Sequence, residues 1–215
     1  MKAVPRASFQ QLSAARREEI LATAAEEFAE RGFQGTSYNQ LLARLGIGKS
    51  SAYHYFEDKA DLFRTAVAEN YAKWFRSLSA LTPPTTREAF WPYIFEVNLN
   101  GFRFMLEDPT AAALIQCVLR EATSLEQVLG AEQVLGAIDE YHQAILAMGQ
   151  QLGAVRKDLP LERLSLLSRA IGAAEDQAFV REMRRVGRDA VVDRLPTFAE
   201  QLTDMLRRVL EVGVK

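Results

Sequence analysis

The sequence predicts an all-α protein: a small N-terminal three-helix domain containing a helix-turn-helix, followed by a larger helical part. Three observations predict it. Apolar residues recur at three- and four-residue spacing along nearly the whole chain. No stretch alternates apolar and polar as a half-buried strand would. Glycine, proline and capping residues divide the periodic stretches into pieces of helical length.

Taken in order, the first helix is expected over about 13 to 31, where Ile20, Leu21, Ala24, Ala25, Phe28 and Ala29 share one face. Residues 1 to 12 read as an irregular leader. Gly32 and Gly35 then break the chain, and Ser37 followed by Gln40 predicts a capping box that starts a second helix near Tyr38. Leu41, Leu42 and Leu45 form its inward face, Gly46 permits a tight turn, Ile47 plugs the angle, and Gly48 caps a third helix from Lys49. In that helix Ala52 and Phe56 lie four apart and face inward. Lys49, Ser50, Ser51, Tyr53, His54 and Tyr55 are left on the outer surface and its edges. Lysine binds phosphate or guanine, serine and histidine hydrogen-bond base edges, and tyrosine hydroxyls reach phosphates, so these side chains suit a DNA groove. Spacing alone is equally satisfied by a helical hairpin with solvated polar residues.

The residue detail separates the two readings. Gly32-Phe33, Thr36-Ser37, Gly46-Ile47, Lys49, Tyr53, Tyr55-Phe56, Lys59 and Leu62 stand in an order and spacing that resembles the DNA-binding domain of the tetracycline-repressor (TetR) family, over about residues 16 to 62. Two departures are Leu45, where the family usually has a small residue, and Gly48, where it has Ser or Thr. The resemblance implies backbone contacts from Thr36, Ser37, Tyr38, Tyr53, Tyr55 and Lys59, and base-edge contacts from Lys49, Ser50, Ser51 and His54. Lys59 would stand at the start of a fourth helix, whose free N–H groups also favour a phosphate. Arg44 reads as a solvated helix charge, and Arg6 as an arm residue within reach of a minor groove.

Charge neither forbids nor demands this. The chain carries a net charge of −2, whereas binding driven by phosphate attraction alone would favour a basic protein. Residues 1 to 60 hold eight Lys or Arg against seven acids, and residues 32 to 48 hold no acid, so the groove-facing part is locally positive. Selectivity must then come from base contacts and a dimer. A single cysteine, Cys117, excludes an internal disulfide and reads as a small buried hydrophobe. No apolar run approaches the roughly 20 residues that span a bilayer, and the leader lacks a signal-peptide core. A cytoplasmic protein without membrane contact is expected.

The sequence divides at 1–62 for the helix-turn-helix domain, with a connector helix over about 59–78, and at 79–215 for a helical ligand-binding and dimerisation domain. Thr82-Pro83-Pro84-Thr85-Thr86 stops one helix and restarts another, with Thr86 as its cap. Further helices are expected over about 87–106, 110–122, 125–152, 161–186 and 196–212. An exact hexapeptide repeat, Glu126 to Ala131 and Glu132 to Ala137, reads as a duplication within one helix, since copies six residues apart face about 120 degrees away from each other.

This part is rich in aromatic residues, and Phe90, Trp91, Tyr93, Ile94 and Phe95 come almost consecutively, so they face all round their helix. A pocket between helices is a common place for an apolar ligand held by a few polar groups. The candidates are Trp91, Phe95, Phe102, Cys117 and Phe179 as apolar lining and Asn98, Glu121, Tyr141 and His142 as polar contacts. Leu161, Leu164, Leu167, Ile171, Ala174 and Ala178 stripe one late helix, and Leu195, Phe198, Leu202, Met205, Leu206 and Val209 the last one. These stripes are wide enough to bury against a symmetry mate, and the resemblance implies a four-helix dimer interface there, with two reading helices about 34 Å apart on a palindrome.

The expected function is a ligand-responsive regulator, most simply a repressor that binds a palindromic operator in double-stranded DNA as a homodimer. A small, largely apolar effector would release it by shifting its conformational population. The alternative is an architectural or protein-regulated DNA-binding factor with no small ligand. An enzyme is not expected: no nucleotide loop, metal-spaced cluster or nucleophile elbow occurs, the only histidines are His54 and His142, and no metal or cofactor is called for.

Overall fold

The computed structural model describes residues 6–78, 80–118 and 134–211, with the side chains of 134–138 excepted. The elements are α1 (Ala7–Gln10), α2 (Ala14–Gly35), α3 (Tyr38–Arg44), α4 (Lys49–Tyr55), α5 (Lys59–Leu78) and α6 (Arg87–Glu107). They continue with α7 (109–118), α8 (Val134–Gln151), α9 (Leu161–Val186), α10 (Arg188–Val192) and α11 (Leu195–Leu210). Among the described residues the one extended pairing is an isolated bridge between Val155 and Glu211. The all-α fold is as expected. Glu121, parts of three expected helices and most of the hexapeptide repeat lie outside the described residues.

The chain forms two compact units. One comprises the described residues of Met1–Lys73 and Asp108–Ala137, the other those of Trp74–Glu107 and Ile138–Lys215. This grouping differs from the division at 62 and 79 suggested by the sequence, because α7 belongs with the N-terminal helices and the boundary falls inside α5.

In the first unit, Ser13 caps α2 by accepting from the Arg16 N–H at 3.2 Å. Its buried face is Ile20, Leu21, Ala24, Ala25 and Phe28, as the spacing predicts. Gly32 (φ 71°, ψ 171°) bends α2 in a region open essentially to glycine alone. The bend brings Phe33 onto Phe63 (centroids 5.2 Å), with Phe28 4.7 Å from the same ring. The leader is not irregular: α1 is a single turn that buries Phe9. The Ser37–Gln40 capping box does not form either, for the Ser37 side chain makes no cap bond. A reciprocal cap stands instead at α5. Asp58 Oδ1 accepts from the Asp61 N–H (2.7 Å), and Asp61 Oδ2 accepts from the Glu57 N–H (3.0 Å).

In the second unit, α6 is buried over much of its circumference, as its consecutive aromatics require. Phe90, Trp91, Ile94, Val97, Leu99 and Phe102 are all buried. Gly149 of α8 makes this possible, since a Cβ there would lie 2.4 Å from Val155 Cγ2 and 2.6 Å from Phe90 Cζ. Phe102, Phe179 and Phe198 close a three-ring cluster with centroids 5.0, 5.3 and 5.7 Å apart. Thr86 caps α6 as expected, accepting from the Ala89 N–H at 3.3 Å.

Of the α11 stripe expected at a dimer interface, Met205 and Val209 stay half-buried, whereas the other four residues turn inward. Leu195, Phe198, Leu202 and Leu206 are buried within the single chain, as is Leu164 of α9, and α11 packs on α6 and α9. Those side chains are core, because an amphipathic stripe is satisfied by any apolar neighbour and α6 supplies one. Among the described residues no helix is long and apolar enough to cross a membrane.

Candidate functional site

α4 is seven residues long and buries only Ala52 of its own, while Phe56 at its C-cap is fully buried. With that side anchored, Lys49, Ser50, Ser51, Tyr53 and His54 are all exposed and Tyr55 is half-buried. Among the described residues, Tyr53, at 56% exposure, is one of the few large apolar side chains left to solvent. Two turns of helix therefore offer an ammonium, two hydroxyls, an imidazole and a phenol on one accessible surface, a set that can donate to phosphates and to base edges.

Other candidates turn inward. Thr36 is 3% exposed, and its hydroxyl donates to the Gly32 carbonyl at 2.8 Å, with the Glu27 carbonyl at 3.3 Å. It fastens the α2 bend and is not a surface contact. The Tyr38 hydroxyl is buried without a hydrogen bond. Burial first, then Tyr53, Asp58 and Asp61, push it up to about 12. Its position corrects the expected phosphate contact. Ser37 remains exposed beside them.

Lys59 is also largely committed inside the protein. Its ammonium donates to the Phe33 carbonyl (2.8 Å) and the Thr36 carbonyl (2.9 Å) and sits 4.4 Å above the Phe33 ring. Burial draws its pKa down. Two of three donors thus tie the start of α5 to the end of α2, and one remains for an outside acceptor. The free N–H groups expected at the start of α5 are not all free, since Asp58 engages one of them. Arg44 is not simply solvated but pairs with Glu26 (2.6 Å) and Glu27 (2.8 Å) of α2.

The effector candidates do not converge on one place. Cys117 is fully buried in the first unit, whereas Trp91, Phe95, Asn98, Phe102, Tyr141, His142 and Phe179 belong to the second. Phe102 and Phe179 face each other and Phe198, so their rings are occupied by protein. Trp91 lies beneath the Arg207 guanidinium, 5.9 Å from its ring. Asn98 donates to Thr203 Oγ1 at 3.0 Å, and Phe95 is half-buried.

Tyr141 lies in a half-exposed aromatic group, with Phe75 at 5.0 Å, Trp74 at 5.6 Å and His142 at 5.9 Å. Burial raises the pKa of both Tyr141 and Tyr93, whose hydroxyls interact. Sequence reasoning missed Trp74 and Phe75, which it placed on a connector. The adjacent large rings in an otherwise polar stretch were the available signal. It also missed Asp176 of α9, whose carboxyl is shielded by protein atoms although the residue keeps some solvent contact. Burial and then Glu175 push that carboxyl up to about 7.

An all-helical chain with a buried α2–α3–α4 corner and an exposed polar α4 defines a helix-turn-helix protein. Residues 20–66 match the family of bacterial regulatory proteins of the tetR type. The HTH-type transcriptional regulator YezE of Bacillus subtilis is 46% identical over 88 residues, which are 39% of this chain and 44% of that protein. The transcriptional repressor AcnR of Corynebacterium efficiens is 28% identical over 158 residues, 70% of this chain and 74% of that protein. The match thus spans less than half of YezE and about three quarters of AcnR.

Solved structures share the fold along nearly the whole chain. A TetR-family regulator of Chloroflexus aurantiacus superposes with a TM-score of 0.67 at 20% identity, covering 98% of this chain and 100% of that one. FadR of Bacillus subtilis, solved with stearoyl-CoA, gives 0.67 at 17% identity, covering 87% and 96%. The chain thus carries a tetR-type domain over residues 20–66 and shares its overall fold with these solved structures.

Proposed function

We propose that this protein is a ligand-responsive repressor that binds a palindromic DNA operator as a homodimer and is released by a small, largely apolar effector. The observation that carries the reading is the exposed polar surface of α4, set against the buried Ala52 and Phe56. Lys49, Ser50, Ser51 and His54 read base edges; Tyr53, Tyr55 and Ser37 hold phosphates, joined by the one remaining donor of Lys59. The effector enters among the half-exposed rings of Trp74, Phe75 and Tyr141, where an apolar ligand would gain the burial these rings lack. FadR was solved with stearoyl-CoA, whose long acyl chain, though not its anionic head, is in keeping with an apolar effector.

With most of the α11 stripe turned inward, the second copy docks on what the late helices leave outside. Leu166 is 60% exposed, and Ala170 and Ala174 follow it at four-residue spacing on the outer face of α9. Selection of random duplexes by the purified protein at near-physiological salt tests the DNA reading and the dimer. The expected product is a palindrome with half-sites about one helical turn apart, bound by wild type and lost in Leu166→Glu, which sediments as a monomer. Enrichment of single, unpaired half-sites would overturn the dimer, and absence of any enrichment would overturn DNA reading.

A further inference from the structure

α4 is too short to be stable alone, since helices below about 12 residues are marginal in water, and its N-cap, Gly48, offers no side-chain acceptor. Something outside the helix must hold it in shape. Its last-turn carbonyls show what does. The Tyr53 carbonyl accepts from Arg6 Nη1 at 2.6 Å, and the His54 carbonyl accepts from the Ser8 hydroxyl. A guanidinium at a helix C-terminus satisfies an orphan carbonyl and opposes the negative end of the helix dipole.

Between these two caps, Phe9 is 2% exposed and packs 4.8 Å from Phe56 and 6.3 Å from Tyr55. The other end of the same segment is fastened to α2, because Arg17 Nη1 donates to the Gln10 carbonyl at 2.9 Å and also to that of Leu12. Residues 6–12 are thus held at both ends, one end on α2 and the other on the C-terminus of α4.

We infer that this N-terminal segment is a brace that positions the reading helix, with Arg6 and Ser8 as positioning residues that act through the Tyr53 and His54 carbonyls rather than by touching DNA. The inference rests on the proposed DNA reading for its functional meaning, although the brace itself is testable without DNA. The expectation that Arg6 enters a minor groove is replaced by this role, because its guanidinium would have to leave the Tyr53 carbonyl to get there.

The experiment is amide hydrogen exchange on the DNA-free full chain, for wild type, Arg6→Ala, Ser8→Ala and Ser8→Thr, paired with titration of each against the selected duplex over a range of salt. Arg6→Ala and Ser8→Ala should each speed exchange in the last turn of α4 about fivefold, the loss of one net hydrogen bond, while amides of α2 and α5 keep their rates. Ser8→Thr, which retains the hydroxyl, should restore it. Affinity for the selected duplex should fall by a similar factor with the salt slope unchanged. Unaltered α4 exchange in both alanine variants would overturn the brace. So would a salt slope reduced by about one in Arg6→Ala, the signature of a phosphate contact. If wild type selects no duplex, the exchange data still decide the brace, and only the DNA reading fails.

Discussion

α4 and α11 are held in opposite ways. α11 is sixteen residues long and buries Leu195, Phe198, Ala199, Leu202, Leu206 and Leu210 along one side, so its place is fixed by its own apolar face. α4 has seven residues and one buried side chain within its bounds. Its place is fixed by its neighbours: Phe9 beneath its C-terminus, Arg6 and Ser8 on its last carbonyls, and Phe56 beyond its end. A helix that gives its surface to a partner has little left with which to anchor itself. The difference shows which element is protected by packing and which depends on a few polar bonds.

The strongest way to break this contrast is Phe179→Ala, which opens the three-ring cluster that seats α11. It should cost about 3–5 kcal/mol of stability by chemical denaturation, and a loss below about 1 kcal/mol would mean that the cluster is not closed. Gly149→Ala probes the same packing by addition. The new Cβ collides with Phe90 and Val155, and a loss of about 1–3 kcal/mol is expected.

On α4 the same kind of truncation should behave differently. His54→Ala should leave the melting transition within about 0.5 kcal/mol yet remove about 1–3 kcal/mol of discrimination between the selected duplex and its single-base variants. Equal loss on selected and random DNA would remove His54 from the reading surface.

The smallest effect is at Tyr38. Its buried hydroxyl has no hydrogen-bond partner, so Tyr38→Phe should be neutral or stabilising by up to about 1 kcal/mol at pH 7. Its folded pKa is raised from 10.0 to about 12, so the native state holds a proton that the unfolded chain releases. Wild-type stability should therefore fall as pH rises from about 10 to about 12, a slope that Tyr38→Phe should reduce but not abolish, since Tyr93 and Tyr141 are shifted the same way. A destabilisation above 1 kcal/mol at pH 7 would show that the hydroxyl has a partner.

Polar residues left over from an apolar face were the most legible part of the sequence. Ala52 and Phe56 fixed the rotation of α4, and the exposure of Lys49, Ser50, Tyr53 and His54 followed from it. The helix bounds were legible for the same reason, with α9 found at Leu161–Val186. Less legible was which surface an apolar stripe meets. Leu202 and Leu206 have the same spacing whether they pack on α6 or on another copy, because the hydrophobic effect has no direction. Thr36 and Tyr38 were misplaced because their orientation depends on the Gly32 bend and on the packing at the start of α5, which are tertiary facts. The brace was hidden for a similar reason, since Arg6 and Ser8 meet carbonyls nearly fifty residues away in the chain.

The shortness of α4 also limits how much information it can take from DNA. Seven residues at about 1.5 Å each span roughly 10 Å, which is about three base pairs at 3.4 Å. On the proposed palindrome, two such helices would read about six base pairs. A six-base word recurs by chance about once in four thousand positions, far too often to mark one promoter in a bacterial chromosome. The rest of the address must lie in the separation of the half-sites and in the shape and stiffness of the DNA between them.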